Sequence, residues 1–179
     1  MMKIARQLKE QNIAEYLIYM WQVEDLIRAN GCDLDRLRQN LVSRYPADEQ
    51  PALEEWYGQL CEMMRTEGVV EQGHLQICRN VLLELIDLHA RLLSSTRYPF
   101  YNAAYFKALP FIVELRRKSS HPDEPELETC FEALYGLLLL RLQKKEVTPE
   151  TAKAMEAITA FLSLLANYYE KDARGELEE

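Results

Sequence analysis

Apolar residues recur every three to four positions through nearly all of the chain, and no segment alternates with a period of two. That pattern predicts helices and no sheet. It is densest over residues 12–28, NIAEYLIYMWQVEDLIR, which is apolar on nearly every side. A surface helix carries one apolar stripe, so this helix is expected in the middle of a bundle. With about 100° of turn per residue, Ile13, Leu17, Met20, Glu24 and Ile27 share one narrow sector. Glu24 therefore places a carboxylate on the face expected to be most buried.

The remaining helices follow from the same spacing and its punctuation. Residues 3–10 read as a short lead-in or as the first turns of the 12–28 helix, which Gly31 ends at a left-handed C′ position. Asp33 is the expected cap of LDRLRQNLVSRY, with Leu34, Leu37, Leu41 and Val42 inward and Pro46 closing it. Asp48 is the expected cap of a helix over 49–67, with Leu53, Trp56, Leu60 and Met64 on one face. Gly68 and Val69 then fit a Schellman ending. Residues 73–94 are the most clearly amphipathic, with Leu75, Cys78, Val81, Leu82, Leu85, Leu88 and Leu92 on the buried side.

Aromatic residues crowd the next stretch: Tyr98, Phe100, Tyr101, Tyr105, Phe106 and Phe111. Tyr98 precedes Pro99 and should be extended. Asn102 is expected to cap a helix that Pro110 kinks or breaks. SSHPDEP reads as a loop, and 126–145 as a helix burying Leu127, Phe131, Leu134, Leu138 and Leu142. Gly136 within it implies close helix contact, because glycine otherwise weakens a helix interior. Thr148-Pro149-Glu150 is a clean start for a last helix reaching about Lys171, with 172–179 a frayed acidic tail. The whole is expected to be an all-α, single-domain bundle of about six or seven helices with short connections, spanning residues 1–179.

Composition narrows the class. The chain has 179 residues, with 21 basic and 29 acidic side chains, a net charge of −8. That balance argues against nucleic acid and anionic membrane surfaces as partners. Its longest strongly apolar run, residues 133–140, is too short to span a bilayer. The four cysteines, Cys32, Cys61, Cys78 and Cys130, form no C-x-x-C pair. Neither a metal site nor a disulfide framework is expected from them, and a cytoplasmic location is. The first residues, MMKIARQLKEQN, have no apolar core of the kind a signal peptide needs.

The run NIAEYLIYMWQVEDLIRA, with EGVVEQGHLQ further on, resembles an uncharacterised family of all-helical bacterial proteins that carries only a domain-of-unknown-function label. The resemblance extends over the whole chain. It implies a cytoplasmic bacterial protein with an all-helical fold, and it implies no activity.

Candidate chemistry gathers around Glu24. Arg28 lies one turn on and Trp21 one turn back, so a Glu24–Arg28 pair can form along the helix. Tyr16 and His74 complete a candidate ligand-binding set of Tyr16, Trp21, Glu24, Arg28 and His74. Glu71-x-x-His74 matches half of a di-iron motif, but the second half is missing: Lys118, not an acid, stands three residues before His121. His74 and His89 are about 22 Å apart along one helix and cannot share an ion. No cofactor is expected. Glu84-x-x-Asp87 resembles part of the acidic pattern of all-helical nucleotide pyrophosphohydrolases, which bind Mg²⁺ through carboxylates. The companion segment is incomplete, since Glu54-Glu55 is followed by Gly58 where that pattern needs an acid. The basic groups at Arg116–Lys118 and at Arg141 with Lys144 and Lys145 suit helix C-termini. With no coherent catalytic set, the leading expectation is a non-catalytic protein associating with a protein partner or forming a homo-oligomer. The alternative is a helical enzyme or ligand-binding bundle with a pocket near Glu24 and His74.

Overall fold

A computed structural model describes residues 1–177 of the chain. It contains eight α-helices, and no strand among the described residues: α1 (Met2–Gln11), α2 (Ile13–Ala29), α3 (Leu34–Asn40), α4 (Gln50–Thr66), α5 (Gln76–Ser94), α6 (Pro99–Lys118), α7 (Glu126–Leu142) and α8 (Pro149–Ala173). The count exceeds the expected six or seven because residues 3–10 form their own helix, separated from α2 at Asn12 alone. Internal packing divides the chain into two units. One comprises Met1–Gln11 with Glu15–Val81, and the other Asn12–Ala14 with the residues from Leu82 onward.

In the first unit, α2 ends as its sequence requires. Gly31 is left-handed at φ +68°, and Cys32 N–H donates back to Ile27 O at 2.9 Å. Asp33 then caps α3, accepting from Arg36 N at 2.9 Å. That helix is shorter than expected. It stops at Asn40 and tightens into a 3-10 turn over Val42–Arg44, so Leu37 and Val42 are buried while Leu34 and Leu41 are half-exposed. Asp48 does not cap α4, which starts at Gln50 from an uncapped Glu49 with Pro51 in its first turn. Proline's missing N–H removes one of the donors a cap would serve. Tyr57, rather than Trp56, fills the core side of α4; Trp56 is half-buried. The helix closes as a Schellman ending, with Gly68 at φ +70° and Val69 N–H donating to Met64 O at 2.9 Å.

In the second unit, α6 packs against α7 and α8, and α7 against α8. Its aromatic core contains Tyr101, Phe131 and Phe161, all fully buried. Pro110 does not break α6, which runs unbroken from Pro99 to Lys118. Pro110 sits on the exposed side, where water can satisfy the carbonyl that proline leaves without a donor. Asn102 is not the cap either: it lies in the first turn and donates to Ser95 O and Tyr98 O.

Two expectations for α7 fail. Leu127 and Phe131 are buried, but Leu134 and Leu138 are half-exposed and Leu142 is 65% exposed. Nothing among the described residues lies within 4 Å of a Cβ built on Gly136, so the expected close helix contact is not made there. Thr148 caps α8 as expected, accepting from Thr151 N at 3.2 Å. That helix continues past Lys171 to Ala173, its end tied down by Asp172 to Arg91 and by Tyr169 O–H to Glu84 at 2.6 Å. Of the expected acidic tail, Glu178 and Glu179 lie outside the described residues. No helix among the described residues is long and apolar enough to cross a membrane.

Candidate functional site

The carboxylate that the apolar pattern singles out is fully buried, at 0% exposure, and every group around it comes from the first unit. Ionised carboxylates are costly to bury unless hydrogen bonds and opposite charge replace water. Here both oxygens are used. Oε1 accepts from Leu75 N at 2.9 Å, and Oε2 lies 2.7 Å from His74 Nδ1. Arg28 Nη1 stands 4.0 Å from the same Oε2 and 3.0 Å from Asp25 on the wet edge of α2.

The loop that delivers these partners runs from the end of α4 to the start of α5. Gly73 takes φ +90°, a region other residues reach only with strain. Arg28 donates to Val69 O at 3.1 Å and also to Gly73 O, so one guanidinium holds both ends of the turn. Its Nε is buried without a partner among the described residues. The Trp21 and His74 rings stack with centroids 4.2 Å apart and planes 12° apart.

Leu75 stands immediately before α5 and Gln76 is its first residue, and their N–H groups have no acceptor within the helix. Glu24 takes the first and Glu67 Oε2 takes the second at 2.7 Å. Negative charge at a helix N-terminus is favoured by the helix dipole as well. Glu24 is therefore the capping group of a helix 51 residues away. The Cys78 thiol beside it is pushed up, by burial first and then by the charge and hydrogen bond of Glu24.

The structure thus brings Trp21, Glu24, Arg28 and His74 together. Tyr16 is buried two turns back along α2, its pKa pushed up to about 12, chiefly by burial, and its hydroxyl is not bonded to Glu24. The residues that sequence reasoning missed are Glu67 and the backbone of Val69, Gly73 and Leu75. Backbone partners leave no side-chain signature; the glycine at 73 is the one visible trace. The E-x-x-H spacing does not form a helical pair, because Glu71 and His74 both precede α5 and Glu71 is exposed.

A half-buried polar group, His89, lies within the other unit. His89 Nδ1 is 2.6 Å from the Tyr101 hydroxyl, and its ring contacts Tyr101, Tyr105 and Phe161 edge-on. Burial lowers its pKa, and the Glu126 charge partly opposes that. Tyr105 O–H donates to Glu126 Oε2 at 2.7 Å, and Arg116 approaches Glu126 at 3.9 Å. Near the start of α7, carboxylate oxygens of Glu124, Glu128 and Glu132 lie within 4.8 Å of one another. Glu84 and Asp87 lie exposed on α5, Glu84 accepting from Tyr169 and Asp87 paired with Arg91.

Chemically, the Glu24 centre is a carboxylate–imidazole pair whose carboxylate is already committed to the backbone. All four cysteines are free and buried, and among the described residues they bring no metal-ligand cluster to either centre. No curated protein and no solved structure matches the chain. A family model described as a domain of unknown function (DUF4924) matches residues 2–176, and the chain belongs to that family.

Proposed function

We propose that this protein is a non-catalytic bacterial, cytoplasmic helical protein that acts by associating with another protein or with itself. One observation carries the reading. From Ala133 to Leu142, α7 has no buried residue, although six of those ten positions are leucine. A run of that composition left half-bare marks a contact surface. Exposed apolar residues on α6 support it: Phe106 is 62% exposed with Val113 two turns on along the same face, and Phe100 at the start of the helix is 80% exposed. Four buried free thiols support the cytoplasmic location, and the net charge of −8 argues against nucleic acid as the partner.

Native mass spectrometry of protein purified without denaturation tests the reading. A mass above 21.0 kDa, from a second copy or another chain, is expected. A bare monomer at every concentration, with no accompanying chain, rejects it.

A second reading, a ligand-binding or enzymatic bundle around Glu24 and His74, has one observation in its favour. His74 is 28% exposed while its Nδ1 is bonded to a fully buried carboxylate. An oriented imidazole open to solvent is the arrangement a general base requires. Co-purified small molecules in the same mass spectrum, lost in His74→Ala, would favour it.

A further inference from the structure

We infer that α7 pairs with α7 of a second copy, antiparallel, about a two-fold axis at Gly136. This rests on the association reading above and names its partner. Gly136 lies mid-helix in the half-exposed stretch, and a Cβ there would meet open space within the chain. Glycine weakens a helix interior relative to alanine, and no neighbour among the described residues requires it. What it permits is close approach by another helix.

The flanking residues fit such an approach. Spacing of three and four places Glu132, Gly136, Leu139 and Gln143 along one row, with Ala133 and Leu140 beside it. Reversing the helix about Gly136 sets Ala133 against Leu139 of the second copy, small against large on both sides of the axis. This is the self-complementarity that a two-fold contact demands.

Charge decides the direction and the partner. Around the start of α7, Glu124 just before the helix and Glu128 and Glu132 within it have carboxylates gathered within 4.8 Å, an arrangement of mutually repelling charges. The last turn of α7 carries Arg141, and Lys144 and Lys145 follow just past its end, all exposed. The antiparallel register sets Glu128 opposite Lys144 of the second copy, with Glu132 beside the second copy's Arg141. Each acidic cluster thereby meets a basic one, twice per dimer. A parallel pair would instead stack acid on acid and base on base, which is unfavourable. A contact made by a single helix pair falls in the small, transient class of interface, so a concentration-dependent dimer is expected.

Sedimentation of the full chain from about 1 to 200 μM, a range chosen around that weak-interface expectation, should show a monomer–dimer equilibrium. Leu139→Glu should weaken it on the order of 30-fold, as for a central contact. Because the four native thiols are buried, an introduced cysteine is the accessible one. Chains carrying Glu128→Cys mixed with chains carrying Lys144→Cys should cross-link. Glu128→Cys alone should not, since the two copies of that position lie about 24 Å apart along the helix axis. Cross-linking of Glu128→Cys to itself, or a dimer indifferent to Leu139→Glu, overturns the pairing while leaving association in place. A monomer at all concentrations also overturns it. The broader reading then falls too only if native mass spectrometry finds no other chain bound.

Discussion

Glu24 of α2 accepts the backbone N–H of Leu75 at 2.9 Å, across 51 positions of sequence. That bond, with His74 on the second oxygen and Arg28 on the carbonyls of Val69 and Gly73, fixes the α4–α5 loop to α2. Replacing Glu24 by Gln keeps an acceptor for Leu75 but removes the charge facing His74 and Arg28. A loss of about 1–3 kcal/mol is expected, and about 3–5 kcal/mol for Glu24→Ala, which strands the buried groups. Urea unfolding measures both. A Glu24→Gln protein with the parent midpoint would mean that the charge contributes nothing to the fold. Retained stability with a lost ligand would instead favour the enzymatic alternative.

Arg28→Ala should cost about 2–3 kcal/mol, through the two loop carbonyls rather than through Glu24. The carbonyl bond to Val69 is 3.1 Å, whereas the guanidinium stands 4.0 Å from the Glu24 carboxylate. A double-mutant cycle with Glu24→Gln separates the two. Near-additive losses place the role of Arg28 in the loop; coupling above about 1 kcal/mol would place it in the ion pair.

His89 gives the second unit a pH dependence of definite sign. Its folded pKa is lowered, chiefly by burial, below the ordinary 6.5. The unfolded chain therefore binds the proton first on acidification. The contribution of His89 is present in full above about pH 6.5 and is lost as pH falls from there toward the folded value. Denaturant midpoints at about pH 8 and about pH 5.5, either side of that ordinary value, should differ more for the parent than for His89→Gln. Equal differences would assign the acid sensitivity to other groups.

Gly136→Ala should stabilise the folded monomer by about 0.5–1 kcal/mol, because the added Cβ meets open space and helix propensity rises. Gly68→Ala should destabilise, since φ there is +70°. Thermal unfolding below the association range compares them directly. A loss of stability in Gly136→Ala would mean that the site is crowded within one chain.

Cap substitutions offer a matched control. Asp33→Ala should cost about 1 kcal/mol, since its side chain accepts from Arg36 N, while Asp48→Ala should be near neutral. Equal effects would contradict the assignment of α4's first turn.

Local chemistry is legible in the sequence wherever one short segment decides the outcome. The Schellman endings at Gly31 and Gly68, the caps at Asp33 and Thr148, and the burial of Glu24 all depend on residues within a turn or two. Periodicity likewise carries the all-helical class, because the 3.6-residue repeat is a property of each segment alone. Tertiary structure decided what each face meets. Identical spacing makes Leu134, Leu138 and Leu142 look as buried as Leu127 and Phe131, yet only the first turns of α7 are covered. Pro110 reads as a break because sequence does not show which side of a helix faces water. Glu24 acquires its role in the same way: spacing can bury the carboxylate, but only the folded chain can bring it the N–H of Leu75. Backbone donors are the same in every residue and announce nothing in sequence.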